Sequence, residues 1–323
     1  MTLRSLTRFS VPLFNRFLLH NKTSVRCYKP RRALMYVPGD DTRKLSKAFK
    51  VDVDCIVMDC EDGVAMSRKE TARNTIRKLL DNGKPLKPRD YDWAIRVNSV
   101  HSGLLEEDLR QVLTAEFLPD TILLPKITTV DHLKYFSDQV NNSIKDEEQI
   151  NLVMYIEDAL AMINLVDLCK SAFELSKTSK FKLTSLIFGS DDFCASIGIS
   201  RSENASEILY ARQKLVVVAK AYGLQAIDMV YIQYKDLEGL KRQSDEGARM
   251  GYTGKQVIHP NQVPIVQEAF LPSQKQIEWA SAILNAFEEQ QKIGKGAFNL
   301  EGTMIDMPTV KQAQNIMNLM RSV

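Results

Sequence analysis

Two acidic residues follow apolar segments of the kind that form buried β-strands. Glu157 comes directly after Leu152–Ile156, and Asp192 comes four residues after the end of Ser185–Phe188. Carboxylate oxygens that are not accompanied by His and Cys ligands suit Mg²⁺. We therefore predict that both acids bind this ion. The alternatives are that Glu157 only precedes the N-cap of a helix and that Asp192 pairs with a lysine at another strand end.

The cysteines and histidines argue against a zinc centre. The five cysteines form no C-x-x-C pair, and Cys55 and Cys60 lie five residues apart, so that they would point to opposite faces of one strand. The four histidines are scattered along the chain. A ligand set of the His/Cys type is therefore not expected, and any metal should have oxygen ligands.

Cationic residues stand at equivalent places on two other apolar segments. Arg96 follows Trp93, Ala94 and Ile95, and a buried guanidinium requires a carboxylate or an enolate-like oxygen as its partner. Arg96 therefore either contacts such a substrate or forms a structural ion pair with Asp59 or Glu61. Lys126 could form a Schiff base, but the acids expected around it would keep its amine protonated. We favour an ion-pair role for Lys126.

A basic helix face follows the first predicted strand. Arg43 and Lys47 are four residues apart and share one face of a helix, which would suit the phosphates of a large anionic cofactor. A solvated basic face is the alternative. The end of the last predicted strand, with Ile258 and His259, would supply backbone and ring atoms to the same groove.

Asp306 is an acid surrounded by apolar side chains in the segment Thr303–Pro308. Desolvation raises the pKa of a carboxyl group toward the range that is useful for proton transfer. Asp306 is therefore a candidate acid/base. Its alternative role is the N-cap of the last predicted helix.

Eight apolar segments are the elements that would position these residues. Between them lie helical patterns. The predicted strands are Ala33–Val37, Cys55–Asp59, Ala94–Val97, Ile122–Lys126, Leu152–Ile156, Ser185–Phe188, Ala226–Ile232 and Gln256–His259. The predicted helices include Lys69–Asp81, Leu105–Glu116, His132–Val140, Ala159–Leu175, Ser206–Tyr222 and Leu237–Met250.

Strands rich in Val, Ile and Leu that alternate with helices imply a parallel sheet that is covered on both faces. Eight such units predict a TIM (β/α)8 barrel. A doubly wound open sheet is the alternative, but no G-x-G-x-x-G follows the first strand. In a barrel the carboxyl ends of the strands meet at one mouth, so the charged residues described above would converge there.

The pattern changes after His259-Pro260 to helices alone. These are Gln262–Phe270, Gln274–Lys292 and Thr309–Arg321, with a break at Gly294 and Gly296. We predict that the catalytic barrel spans residues 30–262 and that residues 263–323 form a C-terminal helical extension. Extensions of this kind dock on a neighbouring subunit or cover the barrel.

The N-terminus has the composition of a transit peptide. The first 39 residues contain no Asp or Glu, while Lys and Arg recur among Ser, Thr, Leu and Phe. We predict a mitochondrial transit peptide over residues 1–29, with an ordinary basic arm as the alternative. The apolar run Val11–Leu19 is interrupted and too short for a membrane span, so no membrane is expected as a partner. Cleavage after Cys27 would change the net charge from +3 to −2, and no nucleic-acid partner is implied.

From Arg31 to its end, the chain resembles the CitE-like branch of the HpcH/HpaI aldolase superfamily. The resemblance rests on the motifs Tyr36–Gly39, Asp59–Val64, Ile95–Ser99, Phe188–Phe193, Gly254–Gln262 and Met304–Pro308. It implies a TIM barrel that is usually a trimer, with Mg²⁺ held by the residues that match Glu157 and Asp192. One departure is Ser190-Asp191-Asp192, where relatives tend to have Gly-Glu-Asp.

The resemblance also implies roles for the other site residues. Contacts with substrate and CoA would come from Tyr36, Arg43, Lys47, Arg96, Ile258 and His259. Asp306 would be the acid/base that the C-terminal tail of a neighbouring subunit delivers. The supporting residues behind these contacts would be Asp59, Glu61, Asp62 and Lys126.

The function that the resemblance implies is Mg²⁺-dependent cleavage of (3S)-citramalyl-CoA to acetyl-CoA and pyruvate. Malate synthase and malyl-CoA thioesterase activities would accompany it. The partners would thus be an acyl-CoA thioester and a small 2-keto acid, in a homotrimer of the mitochondrial matrix. The alternatives are a CoA-independent aldolase for hydroxy-keto acids and a non-catalytic subunit of a lyase complex.

Overall fold

The predicted barrel is present. The computed structural model describes residues 29–145, 148–292, 294 and 296–321, so the predicted transit peptide lies outside the described residues except for Lys29. Eight parallel strands close into a barrel in chain order, with the last paired to the first, which confirms the TIM (β/α)8 fold. The strands are Ala33–Pro38 (β1), Cys55–Asp59 (β2), Asp92–Arg96 (β3), Thr121–Leu124 (β4), Ile150–Ile156 (β5), Phe181–Phe188 (β6), Gln225–Asp228 (β7) and Gly254–Val257 (β8).

Helices with one apolar face cover the outside of the barrel. They are Thr42–Ala48 (α1), Lys69–Asp81 (α2), Leu105–Leu113 (α3), Val130–Ser143 (α4), Ala159–Leu175 (α5), Ser190–Ser196 (α6), Leu209–Ala221 (α7) and Leu237–Met250 (α8). The predicted bounds of α2, α5 and α8 agree with the observed ones. Among the described residues, every helix is too short or too polar to cross a membrane.

Alternation along the strands divides the core into two clusters. One fills the lumen of the barrel and consists of Leu34, Cys55, Val57, Ala94, Leu123, Val153, Tyr155, Ile187 and Ile227, with Tyr36 against it. The other lies between the strands and the helices and includes Cys60, so Cys55 and Cys60 do face opposite sides. By the same alternation Tyr36, Asp59, Arg96 and Glu157 face the lumen at its carboxyl end.

The opposite end of the barrel is closed by paired charges. The buried guanidinium of Arg31 donates to the carboxylate of Asp92 and to Ser185 Oγ, and Arg32 pairs with Asp54 at 2.7 Å. A buried charge is tolerated when it has such partners. This end therefore serves stability, while the carboxyl end is left for chemistry.

The C-terminal extension divides into two parts. Helix Val263–Ala269 (α9) packs on the barrel, because Val263, Val266 and Phe270 belong to the core beneath the helices. The core beneath the helices therefore extends past residue 262 to Phe270. The remaining elements form a core of their own from Ala280, Ile283, Phe298, Ile305, Val310 and Ala313.

The prediction that this extension contains helices alone was wrong. Between Gln274–Lys292 (α10) and Met307–Arg321 (α11), a hairpin pairs Phe298–Leu300 (β9) with Thr303–Ile305 (β10). Its two turn residues have positive φ, 50° at Glu301 and 83° at Gly302, as in the tight turns that join two-stranded hairpins. The hairpin brings the chain back to α11, and the residue between β10 and α11 is Asp306.

Candidate active site at the barrel mouth

Glu157 lies at the carboxyl end of β5 and is buried. Its Oε1 accepts a hydrogen bond of 2.7 Å from the backbone amide of Lys126, which lies two residues after the end of β4. Its Oε2 lies against Gly189, where an added Cβ would come within 2.4 Å of that oxygen. Glycine is therefore required at the end of β6 to make room for this carboxylate.

Asp192 lies in the first turn of α6, which begins directly after β6. It is only partly buried, and its charge acts on Glu157. Burial raises the pKa of the Glu157 carboxyl to about 8, and the negative charges of Glu61 and Asp192 add to this shift. A nearby cation would reverse it, because an opposite charge stabilises the ionised form.

These acids fit a magnesium ion. Among the described residues no three His, Cys, Asp or Glu side chains are grouped closely enough to enclose a metal by themselves. Mg²⁺ keeps several waters and takes only one or two carboxylates from a protein, leaving positions for substrate oxygens. The two carboxylates of Glu157 and Asp192, with a neighbouring surplus of negative charge, match that requirement.

Arg96 is paired with Asp59 and Glu61 and, at a longer distance of 3.8 Å, with Asp62. Its Nε and Nη2 donate to the two oxygens of Asp59 at 2.7 and 2.6 Å, and its Nη1 lies 3.0 Å from Glu61 Oε2. Burial alone would lower the pKa of Arg96, but the charges of Asp59 and Glu61 raise it well above its ordinary value. Both partners that the sequence left open are therefore used, and the guanidinium remains charged at the mouth.

Two tyrosines lie under this guanidinium. The Arg96 Cζ is 5.1 Å from the ring centre of Tyr36 and 5.9 Å from that of Tyr155. The two hydroxyls share a hydrogen bond. Tyr155 is a site residue that the sequence analysis missed, although its position two residues before Glu157 on one strand placed it on the same face.

Lys126 forms an ion pair at this mouth. Its Nζ lies 2.9 Å from Glu61 Oε1 and 3.3 Å from Asp62 Oδ1. Burial lowers the pKa of Lys126, but the close negative charge of Glu61 and the charges of Asp62 and Asp192 outweigh it and raise that pKa. The amine is thus kept charged, whereas a Schiff-base reaction needs it neutral.

Arg43 and Lys47 are exposed on α1, beside the end of β1. Within the described part of the chain neither forms an ion pair, although their neighbour Lys44 pairs with Asp41 at 3.4 Å. Arg68 likewise pairs with Asp40, in the loop between β1 and α1, at 3.0 Å. Arg43 and Lys47 are therefore available to an external anion.

Ile258 and His259 follow β8 and form an apolar shelf. The His259 ring stacks on Tyr234 with 5.1 Å between the ring centres, and Ile258 is exposed. The side-chain oxygen of Gln262 accepts from both backbone amides, at 2.9 Å from Ile258 and 3.2 Å from His259. This loop is thus held rigidly and presents one aromatic and one aliphatic side chain.

Among the residues that the structure describes, Asp306 forms no hydrogen bond or ion pair with the residues of the barrel mouth. It is exposed, and its Oδ1 accepts hydrogen bonds from the backbone and hydroxyl of Thr309 at 3.3 and 3.1 Å. This is the N-cap geometry that was the alternative for Asp306. The side chains on either side of its segment, Met304 and Met307, are 68% and 43% exposed.

Arg201 is a second residue that the sequence analysis missed. Its Nη1 donates to Ser190 Oγ at 2.5 Å and to the carbonyl of Val230 at 3.1 Å, and it lies 3.4 Å from Asp191 Oδ1. It therefore holds the first turn of α6, which carries Asp191 and Asp192. Its distance along the chain from any strand end gave no signal of this role.

Comparisons with known proteins agree with this fold. Residues 32–260 match the family model described as HpcH/HpaI aldolase/citrate lyase. The chain is 47% identical to human mitochondrial citramalyl-CoA lyase over 94% of this chain and 89% of that protein. CitE from Mycobacterium tuberculosis, solved with magnesium, acetoacetate and coenzyme A, has a TM-score of 0.70 at 25% identity, over 90% of this chain and 98% of that one. A citrate lyase from Burkholderia xenovorans LB400 shares the fold, with a TM-score of 0.78 at 20% identity over 92% and 96%.

Proposed function

This chain belongs to the HpcH/HpaI aldolase/citrate lyase family, and we propose that it is a Mg²⁺-dependent lyase that cleaves (3S)-citramalyl-CoA to acetyl-CoA and pyruvate. The observation that carries the proposal is the placement of Glu157 and Asp192 at one barrel mouth, beside the charged guanidinium of Arg96. The similarity to human citramalyl-CoA lyase supports this choice of substrate.

Glu157 and Asp192 would hold the metal in this reaction. Mg²⁺ bound there supplies a Lewis acid that polarises the hydroxyl and carboxylate oxygens of the substrate. Glu157 is kept in place for this role by the amide of Lys126 and by the space over Gly189. The ammonium group of Lys126 pairs with Glu61, so it does not compete with the metal for the carboxylate of Glu157.

The bond that breaks joins the carbinol carbon of citramalyl-CoA to the methylene group beside its thioester. The hydroxyl proton passes to solvent, the oxygen forms the carbonyl of pyruvate, and the bonding electrons pass to the thioester as an enolate. Arg96 would stabilise the enolate oxygen, because its Nη2 carries a second N–H beyond the one that it donates to Asp59. A carboxylic acid then protonates the enolate carbon to give acetyl-CoA.

Asp306 of a neighbouring subunit would be that acid. The extension from α10 to α11 has its own core, and Asp306 is exposed between Met304 and Met307. The barrel in turn exposes Leu160, Ile163 and Ile197 where α5 and the end of α6 meet, next to the helix that carries Asp192. We therefore propose a homotrimer in which each tail lies on the next barrel mouth.

Arg43 and Lys47 would bind the phosphates of CoA. Both are free of ion pairs among the described residues, and phosphate is the anion that such a pair of cations recognises. The shelf of Ile258 and His259 would support the rest of the cofactor, and Tyr36 would contact the substrate beneath Arg96. A CoA-independent aldolase would have no use for these two cations.

The same site accounts for two further activities. Addition of the acetyl-CoA enolate to glyoxylate, followed by hydrolysis of the thioester, would be a malate synthase activity, and hydrolysis of malyl-CoA alone would be a malyl-CoA thioesterase activity. The human relative is named as mitochondrial, and this supports a mitochondrial location for this chain. We place it in the matrix, reached by the transit peptide predicted over residues 1–29.

A substrate panel tests the proposal. Purified protein with Mg²⁺ is incubated separately with malyl-CoA, citramalyl-CoA, methylmalyl-CoA and free citramalate, and the released keto acid is measured. We expect the highest kcat/KM with citramalyl-CoA and no turnover of free citramalate. Cleavage of free citramalate would establish the CoA-independent aldolase, and inactivity toward every compound would support the non-catalytic subunit.

A further inference from the structure

Lys69 is a buried lysine whose charge has no carboxylate partner. It is the first residue of α2, and only 9% of its surface is exposed. Its Nζ donates to the backbone carbonyls of Cys60 and Glu61, both at 2.8 Å, and no acid of the described chain lies within ion-pair distance of it. Burying an ammonium group without a carboxylate partner is costly, so the position of Lys69 calls for an explanation.

The two carbonyls belong to the loop that follows β2. The backbone amides of the same loop are held from the other side, because Asp59 accepts from Glu61 at 2.8 Å and from Gly63 at 2.9 Å. Asp59 thus binds the N–H groups and Lys69 binds the C=O groups. The backbone of residues 60–63 is therefore fixed by two buried side chains of opposite charge.

This loop carries Glu61, whose carboxylate joins the two cations of the mouth. Its oxygens lie 3.0 Å from Arg96 Nη1 and 2.9 Å from Lys126 Nζ. Both oxygens are buried, and neither accepts an aligned hydrogen bond from the described residues. Ion pairs that lack aligned hydrogen bonds restrain the orientation of a carboxylate only weakly. The position of the Glu61 carboxylate therefore depends on the backbone that carries it.

We propose that Lys69 is a positioning residue that sets the place of Glu61 and, through Glu61, of Arg96 and Lys126. Without the Lys69 ammonium, the carbonyls of Cys60 and Glu61 lose their donor and the loop relaxes toward solvent. The Glu61 carboxylate then leaves the two cations, and Arg96 moves with respect to the substrate. This inference rests on the proposed function only for its kinetic readout.

The test is a double-mutant cycle. Lys69→Met, Glu61→Gln and the double variant are assayed for pyruvate release from citramalyl-CoA, and each is also crystallised. We expect Lys69→Met to lower kcat about tenfold or more in the wild-type background, since small displacements of catalytic groups are costly. In the Glu61→Gln background the same change should have an effect of less than about twofold. Lys69→Arg, which keeps charge and donors, should recover part of the loss.

Lys84→Met is the matched control. Lys84 also joins a backbone carbonyl, that of Tyr91, to carboxylates, including Asp120 at 2.8 Å, but it lies at the opposite end of the barrel. This variant should lower thermal stability and leave kcat unchanged. If Lys69→Met does not fold, Lys69→Gln replaces it in the cycle.

Two results would overturn the inference. One is an equal fold-loss from Lys69→Met in both backgrounds, which would make Lys69 a purely structural residue. The other is a crystal structure of Lys69→Met with Glu61 still between Arg96 and Lys126. If the wild-type protein itself is inactive, the proposed function fails, and the crystal structures still decide the role of Lys69.

Discussion

The backbone amide of Lys126 points at the carboxylate of Glu157, with 2.7 Å between the nitrogen and Oε1. Lys126 adopts a positive φ of 54°, which is uncommon for a residue with a side chain. That conformation turns its amide toward β5 while its ammonium pairs with Glu61. One residue thus orients the acid at the end of β5 with its backbone and neutralises another acid with its side chain.

Removing either proposed ligand should abolish metal binding without unfolding the barrel. In Glu157→Gln or Asp192→Asn we expect Mg²⁺ affinity to fall below detection by calorimetry and turnover to fall about 100-fold or more, because each change removes an anionic ligand. Asp191→Asn is the control, since Asp191 neighbours Asp192 but is paired with Arg201. It should keep both properties. Normal Mg²⁺ affinity in the two ligand variants would refute the assignment.

The stabilisation by Mg²⁺ should increase with pH. The pKa of Glu157, raised to about 8 by burial, lies above its ordinary value of 4.5, so the metal-free fold binds a proton that the unfolded chain releases. Stability from this group is complete below about pH 4.5 and is lost as the pH rises through about 8. Because Mg²⁺ binds the ionised form, the rise in Tm on adding Mg²⁺ should be larger at about pH 9 than at about pH 6.

The comparison uses thermal melts in EDTA and in Mg²⁺ for the wild type and for Glu157→Gln. The variant has no titrating group at this position, so its response to Mg²⁺ should be small at every pH. A wild-type response that does not change with pH would show that Glu157 is not the acid linked to the metal.

The strands could be predicted because barrel strands are buried on both faces and therefore appear as continuous apolar runs. The hairpin in the extension could not, since Phe298–Leu300 and Thr303–Ile305 contain three residues each, too few to establish an alternating pattern. Its signal was the turn Glu301-Gly302, where glycine at a positive φ permits a two-residue connection.

The charged residues of the candidate site could be predicted from their types and positions, but their ion-pair partners could not. Asp59 and Arg96 lie directly opposite each other on β2 and β3, and the register between parallel strands cannot be read from a hydrophobic pattern. For the same reason the sequence left Asp59 and Glu61 as alternatives for Arg96, whereas the fold uses both. Lys69 escaped notice because its partners are backbone carbonyls, which every sequence contains.

Removing the two free cations of α1 should weaken the binding of the CoA thioester. We expect Arg43→Ala with Lys47→Ala to raise KM about tenfold at low salt and to leave kcat within about twofold. High salt should reduce the difference, because these groups are exposed. Lys44→Ala is the control on the same helix, because Lys44 already pairs with Asp41. The KM of this variant should not change. Unchanged KM in the double variant would favour a CoA-independent aldolase.

If Asp306 acts at the barrel mouth of a neighbouring subunit, inactive variants of the two parts of the site should complement each other. Asp306→Ala and Glu157→Gln subunits, each inactive alone, should recover part of the wild-type turnover when they are dissociated and reassembled together. Some mouths then carry an intact Glu157 and receive an intact tail. The measurement is keto-acid release from trimers whose mixed composition is verified by native mass spectrometry.

The control for complementation is a mixture of Glu157→Gln and Asp192→Asn subunits. Both changes damage the same barrel mouth, so no mixed trimer contains an intact one and turnover should stay at the level of the single variants. If the Asp306→Ala mixture also fails to recover in verified mixed trimers, Asp306 acts in its own subunit or serves only as the N-cap of α11.

Release of pyruvate from (3S)-citramalyl-CoA is the measurement that tests the central claim most directly. The purified protein is assayed after treatment with EDTA and again after Mg²⁺ is restored, with acetyl-CoA measured in the same samples. A metal-dependent lyase predicts no turnover in EDTA and full recovery with Mg²⁺, with pyruvate and acetyl-CoA formed in equal amounts. Turnover that persists in EDTA, or free CoA in place of acetyl-CoA, would contradict the account.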